Sequence, residues 1–398
     1  MSNDDGAFGR RLRELRTERG LSLRSLAAKT YVSKSRIQAY ESGERPSLAT
    51  ARALDEAVGA GGELVGLLVN ENRGCTELLV ELTQVLEHRG IGRGSLVEAE
   101  LTCERLDRQF ASLGPDEVLP NARMLLNLAL DQLRRPQSLD HHRRLVALAG
   151  RLSGLRAWAS FDIDEHAVAE RWYQVAISAA EESETWSLGG WLLGAQSLIP
   201  WHQRDAQRAV SLIERGIYLA QQGSDSTVLA WLYALAARGR AGLGDREGFK
   251  VAYAQAEGAA ERSTQLARRH GMDFAEGLLD LRYYGGTSQL LLRQPARAAQ
   301  ALRGSLEALP DSHTKARAVL TLALADAAIQ SNDVGGAVGL ARQALASTRH
   351  QPILPIMLDG RRIQRLIRER DPRSATDLDS DLEDFAGGLA VVASKAEQ

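Results

Sequence analysis

The chain has 398 residues, with 49 Arg or Lys against 51 Asp or Glu, and 44% of its residues are hydrophobic. These values are typical of a soluble globular protein of two or three domains and exclude a disordered or fibrous one. Two cysteines are too few for a disulfide framework or a four-thiolate zinc site, and no apolar run approaches the ~18 residues that span a bilayer. Since no apolar signal segment follows the N-terminus, we expect a cytoplasmic protein without a membrane partner.

The charge is unevenly distributed along the chain. Between Phe8 and Arg52 there are eleven Arg or Lys against four Glu. From Asp371 to the C-terminus there are seven acidic residues against two basic ones. A basic end on a near-neutral chain predicts an anionic partner for about the first 60 residues.

Apolar spacing and capping residues predict five short helices within the first 70 residues. The first runs from Phe8 to Arg19. Ser22, Ser33 and Ser47 are the predicted N-caps of the next three helices, and Glu63 to Val69 is the predicted fifth.

The third predicted helix, Lys34 to Tyr40, has two different faces. Ile37 and Tyr40 are predicted to point inward. The other positions stay available outside, namely Lys34, Ser35, Arg36, Gln38 and Ala39. Two short helices joined by a turn of three or four residues, inside a basic bundle, have the helix-turn-helix geometry.

This segment carries a recognisable set of motifs. They are Arg10-Arg11-Leu12-Arg13-Glu14-Leu15-Arg16, Gly20-Leu21-Ser22, Leu26-Ala27, Val32-Ser33, Ile37 and Tyr40-Glu41-Ser42-Gly43-Glu44-Arg45-Pro46-Ser47. On these residues the sequence resembles the Xre/Cro-type DNA-binding family. It departs from that family at Leu23, where a phosphate-gripping Gln is usual, and at Tyr31, where a Gly in a left-handed turn is usual.

The resemblance implies which side chains meet double-stranded DNA. The base-contacting set is Lys34, Ser35, Gln38 and Ala39. The phosphate-contacting set is Ser22, Arg24, Arg36, Arg45 and Ser47. It also implies a homodimer on an inverted-repeat operator. The alternative is a small helical bundle that no longer binds DNA or only dimerises.

From Ser95 onward, helix-forming runs alternate with short breaks, which predicts stacked helical hairpins. A triplet of mostly small residues recurs after the breaks, as Ala169/Tyr173/Ala176, Ala209/Ile213/Gly216, Phe249/Tyr253/Ala256, Ala298/Leu302/Ser305 and Ala337/Ala341/Ala344. The first members are 40, 40, 49 and 39 residues apart. This pattern resembles the second helix of a tetratricopeptide (TPR) repeat and predicts a TPR-like α-solenoid, with a generic helical-repeat stack as the alternative.

All six tryptophans fall between Trp158 and Trp231. The resemblance to TPR repeats places several of them on the face that lines a concave groove. The predicted effector-binding set is Trp158, Trp191, Trp201, His202, Trp231, Arg238 and Tyr283. Such a groove suits a signalling peptide or a flat small molecule, through stacking and carboxylate pairing. The alternative is that these side chains fill the core between repeats.

Catalytic chemistry has little support in the sequence. There is no Gly-Lys dipeptide for a P-loop, and no nucleophile, base and orienting group can be assembled. We therefore expect no enzyme activity, no metal and no cofactor. Asp162 to His166 is interpreted as the acidic first turn of a helix, and Arg361 to Arg370 as the polar face of a terminal capping helix.

The sequence therefore predicts an all-α chain in four parts. These are an Xre/Cro-type five-helix domain at 1–70, connecting helices and a first hairpin at 71–135, a TPR-like repeat domain at 136–370 and an acidic tail at 371–398. This architecture resembles the RRNPP group of peptide-sensing regulators, which implies a transcriptional regulator whose solenoid binds a signal. The alternative is a scaffold whose solenoid binds another protein, with the helix-turn-helix secondary.

Overall fold

The computed structural model describes residues 7–30, 32–44, 46–64, 67, 93–110, 113–223, 225–262 and 281–396. Within these ranges all regular secondary structure is helical, so the predicted all-α fold is confirmed. The chain divides into two compact units, Met1–Arg89 and Gly90–Gln398, which we call the head and the body. Over the described ranges, no helix is both long and apolar enough to cross a bilayer.

The head is a small helical bundle around one core. Its helices are α1 (Ala7–Glu18), α2 (Leu23–Thr30), α3 (Lys34–Glu41) and α4 (Leu48–Val58). Residues 63, 64 and 67 are also helical, within the fifth helix that the sequence predicts. The core consists of Phe8, Leu12, Leu15, Leu26, Ile37, Tyr40, Ala51, Leu54, Val58 and Leu64. Because helices this short are marginal alone, the packing of their apolar faces stabilises them.

Serine residues are the N-caps of three of these helices. Each accepts a hydrogen bond from the backbone N–H three residues further on, Ser22 at 3.0 Å, Ser33 at 3.3 Å and Ser47 at 3.1 Å. The three predicted N-caps are therefore confirmed. A cap of this kind contributes about 1 kcal/mol, which matters for a helix as short as α3.

An ion pair fastens α1 to α3. Arg16 Nε and Nη2 donate to the two carboxylate oxygens of Glu41 at 2.5 and 2.9 Å, and Arg16 Nη1 donates to the carbonyl of Leu21 at 3.0 Å. The Glu41 side chain is only 8% exposed. Gly9 permits the close approach of the two helices, because a Cβ there would overlap the carbonyl oxygen of Tyr40. The C-terminal end of α3 is thus held at a defined position in the head.

The body is a series of helical hairpins. It begins with α5 (Arg93–Gln109) and α6 (Pro115–Leu133). Five hairpins follow: α7 (Leu139–Asp162) with α8 (His166–Glu182); α9 (Trp186–Gln196) and α10 (Leu198–His202) with α11 (Ala206–Ala220); α12 (Ser226–Gly242) with α13 (Arg246–Arg262); α14 (Leu281–Leu291) with α15 (Pro295–Ala308); and α16 (Thr314–Gln330) with α17 (Val334–Thr348). The last helices are α18 (Leu354–Arg368), α19 (Pro372–Thr376) and α20 (Asp379–Ala396).

The sequence repeat corresponds to one turn and one close helix contact in each hairpin. The first residue of four triplets is 0% exposed, at Ala169, Ala209, Ala298 and Ala337, whereas Phe249 of α13 is only partly buried. The hairpin turns each hold one residue with positive φ, at Asp164, Arg204, Gly244, Arg293 and Asn332. These turn residues are 40, 40, 49 and 39 residues apart, the same spacing as the triplets. A hairpin array is therefore present, as predicted from the repeat.

The two ends of the body meet. Helix α20 packs against α6, and also against α17 and α18. Leu382, Phe385 and Leu389 of α20 are buried, at the three- and four-residue spacing of an amphipathic helix. The segment expected to be an acidic tail therefore forms two packed helices up to Ala396. Its high acidic content conceals this apolar stripe when composition alone is considered.

Two local interpretations of the sequence are wrong. Asp162 does not lie in the first turn of a helix, because it is the last residue of α7 and is 1% exposed. Asp164 forms the turn and Glu165 precedes α8. Similarly, the arginine-rich helix α18 is not terminal, since α19 and α20 follow it. In both segments, charged residues suggest a solvent-facing surface, but the helices that pack beside them are distant in sequence and leave no local signal.

Candidate DNA-contact face and ligand cavity

The outer side of α3 is open to solvent. Ile37 and Tyr40 are 0% and 3% exposed and hold the helix on the core. The four residues predicted to contact bases are exposed or, for the last, half-buried: Lys34, Ser35, Gln38 and Ala39. The two faces of α3 therefore separate as the sequence predicts, with the capped N-terminus beside Ser33 available to a ligand.

The residues predicted to contact phosphate occupy different helix ends. Ser22 and Arg24 are exposed at the start of α2, and Ser47 is half-buried at the start of α4. Arg45, like Tyr31 of the predicted turn, lies outside the described residues. The N-termini of α2, α3 and α4 each present backbone N–H groups, which suit anionic oxygens.

Arg36 has a partner within the head. Its Nη1 donates to Glu44 Oε1 at 2.9 Å, and its guanidinium carbon lies 5.8 Å from the centroid of the Tyr40 ring. Both side chains of the ion pair are at least 40% exposed. Exposed pairs of this kind contribute about 0–1 kcal/mol, so a phosphate group can displace Glu44 at small cost.

The body contains a cavity of about 730 Å³, which we call the aromatic cavity. Side chains from α7, α10, α12, α14, α16 and α18 line it, together with Phe110 just after α5. The phenylalanine, tryptophan and tyrosine side chains that line it are Phe110, Trp158, Phe161, Trp201, Trp231, Tyr283 and Tyr284. The lining helices therefore come from successive hairpins and from both ends of the body.

Six of the seven residues predicted to bind an effector line this cavity. They are Trp158, Trp201, His202, Trp231, Arg238 and Tyr283. Trp191 does not: it is 2% exposed and lies behind Trp158, with the two rings stacked at a centroid distance of 6.0 Å. Trp231 reaches the cavity with little of its surface, since it is 1% exposed and donates from Nε1 to Tyr284 Oη at 2.7 Å.

Trp191 and Trp231 pack at equivalent places in successive repeats. A Cβ added at Gly154 would lie 3.1 Å from Cζ3 of Trp191, and one added at Gly194 would lie 2.7 Å from Cζ3 of Trp231. Each tryptophan thus lies against a glycine in the first helix of the preceding hairpin. This contact is the one that the core-packing alternative predicts for both residues.

Arg238 is a buried cation on the cavity wall. It is 7% exposed, and its guanidinium carbon lies 4.6 Å from the centroid of Trp201 and 5.3 Å from that of Tyr284. It is hydrogen-bonded to Tyr283, whereas its Nε has no hydrogen-bond partner. Over the described ranges, no carboxylate forms a salt bridge with it. The aromatic rings offset only part of the cost of desolvating this charge.

Asp162 and Lys315 form a second buried charged region of the cavity. Burial raises the pKa of Asp162 to about 7, although the nearby Lys315 opposes this shift. Burial also lowers the pKa of Lys315, whose Nζ donates to the carbonyl of Phe110 at 3.2 Å. Asp162 Oδ1 has no hydrogen-bond partner in the described part of the chain.

A third charged group contains one cation and two carboxylates. Arg362 of α18 donates to Asp326 at 2.6 Å and to Asp359 at 3.2 Å. The amino-acid pattern does not predict this group, or the places of Asp162, Lys315 and Tyr284 on the cavity wall, because their juxtaposition joins helices far apart in the chain. One usable signal was present: charged residues inside otherwise apolar helical runs, as at Asp326 in the run from Ala318 to Ile329.

His202 completes the polar part of the wall. Its Nδ1 lies 2.8 Å from the carbonyl of Leu198, which fixes Nδ1 as the protonated nitrogen of the neutral ring. Burial lowers its pKa. The imidazole therefore contributes a hydrogen-bond acceptor at Nε2 rather than a positive charge.

Comparison with known proteins identifies one part of the chain. A helix-turn-helix domain family matches residues 7–68, which covers α1 to α4 and the described residues beyond them. The head is therefore a helix-turn-helix domain. No curated protein matches the chain.

Proposed function

We propose that this protein is a sequence-specific transcriptional regulator that binds DNA through α3 of the head and a signal through the aromatic cavity of the body. It acts as a homodimer on an inverted-repeat operator, and the signal changes its DNA affinity. The observation that carries the proposal is the exposed, polar outer face of α3 in a helix-turn-helix domain. A helix held in this way can enter the major groove with its N-terminal turn against the base edges.

The charge of the head supports DNA binding. The exposed basic residues of the head include Arg10, Arg13, Arg24 and Lys34. None of these four forms a salt bridge with a carboxylate in the described part of the head. Cations left without counterions attract phosphates over a range of about 10 Å at moderate salt.

A dimer follows from the size of the head. A single domain of this kind buries a small interface with DNA, and two half-sites lie about 34 Å apart along one face of the duplex. Paired heads therefore give both affinity and operator spacing. Sedimentation of the full chain, alone and on its operator, tests this step; a 43.3 kDa species that remains monomeric on a complete operator contradicts it.

The first experiment is selection of binding sites from random duplex DNA with the full chain, followed by affinity measurements across salt concentrations. We expect a pseudo-palindromic site and a log–log salt slope of roughly −0.9 per phosphate contacted. A chain whose body binds another protein while the head is secondary would select no site. That outcome would favour the scaffold alternative.

Variants of α3 then test its placement. Arg36→Ala is expected to weaken binding to all sequences and to flatten the salt slope, because it removes a phosphate contact. Ser35→Ala and Gln38→Ala are expected to change the preferred bases, each at a cost of about 1–3 kcal/mol. Lys250→Ala, which removes a lysine of α13 in the body, is the control. Unchanged base preference in all the α3 variants would mean that another element reads the sequence.

A further inference from the structure

The aromatic cavity has a charge preference that its lining residues define. Its buried or half-buried cations are Arg238, Lys315 and Arg362, and its anions are Asp162, Asp326 and Asp359. Arg362 is paired with two of these aspartates, and Lys315 lies close enough to Asp162 to perturb its ionisation. Neither Arg238 nor Lys315 forms a salt bridge with a carboxylate in the described ranges, and Arg238 is the guanidinium of the two.

The solvent-exposed part of the cavity lining is positively charged. Arg204, Arg293 and Arg365 line the cavity and are exposed to solvent. None of the three forms a salt bridge within the described ranges. Exposed charges at a cavity mouth raise the local concentration of ligands of opposite charge. Both the mouth and the buried Arg238 thus favour an anion.

The walls limit the shape of the ligand. Trp158, Trp201 and Tyr283 present ring surface, and a cavity of about 730 Å³ is in the range that holds a compact organic molecule. Aromatic rings prefer offset stacking or edge contacts with other rings. A planar ring system therefore gains the most contact from these walls.

A peptide is a poorer occupant. Each peptide unit carries an N–H and a C=O that need partners when buried. Gln330 is the amide side chain among the described lining residues, and its Nε2 already donates to the Leu290 carbonyl at 3.2 Å and to Asp326 at 3.0 Å. The Gln330 amide therefore has no donor left for the carbonyl group of a buried peptide.

We propose that the aromatic cavity binds a small planar organic acid, with its carboxylate paired to Arg238 and its rings among Trp158, Trp201 and Tyr283. This inference rests on the proposed function, because it names the chemical class of the signal. A single carboxylate matches the single unpaired guanidinium. A charge-assisted pair with the Arg238 guanidinium offsets the cost of desolvating this charge.

The test is calorimetric titration of the full chain at pH 8 with three probes of nearly equal shape: 2-naphthoate, neutral 2-naphthamide and cationic 2-naphthylmethylammonium. We expect naphthoate to bind with a Kd at least tenfold lower than that of either other probe. Equal binding of the amide, tighter binding of the ammonium, or no binding of naphthoate up to millimolar concentration overturns the proposal. Tighter binding of the capped peptide acetyl-Phe-Phe-amide also overturns it.

Arg238→Gln locates the charge that discriminates. We expect this variant to bind naphthoate and naphthamide equally, while its affinity for the amide stays within twofold of wild type. Arg240→Gln is the matched control, because Arg240 lies two residues further along α12, pairs with Glu214 and does not line the cavity. A folded Arg238→Gln protein that keeps the acid preference contradicts the assignment. If this variant does not fold, the comparison of probes on the wild type still decides.

DNA binding is measured on the same samples, so that the two proposals can fail separately. Loss of acid preference with salt-dependent DNA binding intact overturns the ligand class and leaves the regulator. Acid preference without any DNA binding overturns the regulator and leaves the ligand class. Both measurements use the full chain.

Discussion

Asp162 shows how strongly burial controls a single side chain in this protein. It is 1% exposed at the end of α7, where removal of water disfavours its charged form and raises its pKa to about 7. In the unfolded chain an aspartate ionises near pH 4. Between these two values the folded protein holds a proton that the unfolded chain has released. Folding stability therefore falls as the pH rises from about 4 to about 7, and this contribution is complete above that range.

The variant Asp162→Asn is expected to remove this pH dependence. Relative to wild type, its free energy of unfolding should rise between pH 4 and pH 7 by at most about 1.4 kcal/mol per pH unit, and then stay constant. Urea unfolding at pH 5 and pH 7.5 measures the difference. Asp140→Asn is the control, since Asp140 is exposed near the start of the same helix. An Asp162→Asn difference that is the same at both pH values would contradict the burial of this carboxyl group.

Two tryptophans that look equivalent by residue type have different surroundings. Trp191 is 2% exposed behind Trp158, whereas Trp201 is half-buried on the cavity wall under Arg238. Trp191→Ala is expected to lower the free energy of unfolding by about 3–5 kcal/mol, because it leaves a large void in the core. Trp201→Ala should cost less stability and weaken naphthoate binding. Thermal unfolding and calorimetry distinguish the two effects. A Trp191→Ala protein of wild-type stability that no longer binds the probe would reverse these roles.

At the scale of the helices, very small residues at the contacts determine how closely two paired helices pack. Gly190 of α9 faces α11, where an added Cβ would lie 2.7 Å from Ala220 Cβ and 2.8 Å from the Gly216 carbonyl oxygen. Because these are rigid parts of the opposing helix, the helices themselves would have to move apart. The first and second helices of this hairpin can therefore pack closely only with glycine at this position.

Gly190→Ala is expected to lower the free energy of unfolding by about 1–3 kcal/mol through overpacking. Gly339→Ala is the matched control, because Gly339 lies within α17 and an added Cβ meets no atom within 4 Å. That change should raise stability by about 0.5–1 kcal/mol, since alanine favours helix over glycine. Opposite signs in denaturant unfolding confirm the contact. Two variants that are both stabilising would contradict it.

Helix ends and hairpin turns could be predicted well from the sequence, and cavity charges could not. Ser33 and Ser47 act on backbone groups three residues away, so their role depends on local sequence. The break between α9 and α10 has a similar local cause, because Pro200 lacks the N–H that would bond to the Gln196 carbonyl. Lys315, by contrast, donates to Phe110, 205 residues away, and no local pattern specifies that partner.

In the molecule as a whole, contacts between the two ends of the body determine which side chains line the cavity. The first helices of the hairpins supply one wall, and α18 supplies the opposite side with Arg362 and Leu366. Helix α20 connects this side to α6. We expect the acidic C-terminal segment to be structural, although its composition alone suggests a solvated tail.

Phe385→Ala tests this closure. Phe385 is 3% exposed in α20, so its truncation is expected to lower the stability of the body by about 3–5 kcal/mol and to weaken probe binding. Glu383→Ala is the control, because Glu383 is exposed on the same helix. Differential scanning calorimetry with and without naphthoate measures both effects. If the two variants behave alike, α20 does not hold the ends of the body together.

The amino-acid sequence contains the helical class, the helix-turn-helix motifs, the N-caps and the spacing of the hairpins, because each depends on residues within one or two helical turns. It also suggests six of the residues that line the cavity, through the clustering of aromatic side chains. Only the tertiary structure separates Trp191 from that set and brings Asp162, Lys315, Asp326 and Arg362 to the same cavity. The reason is geometric: small rotations between stacked hairpins accumulate along the body and bring its distant ends together. Contacts between those ends then determine which charges remain unpaired.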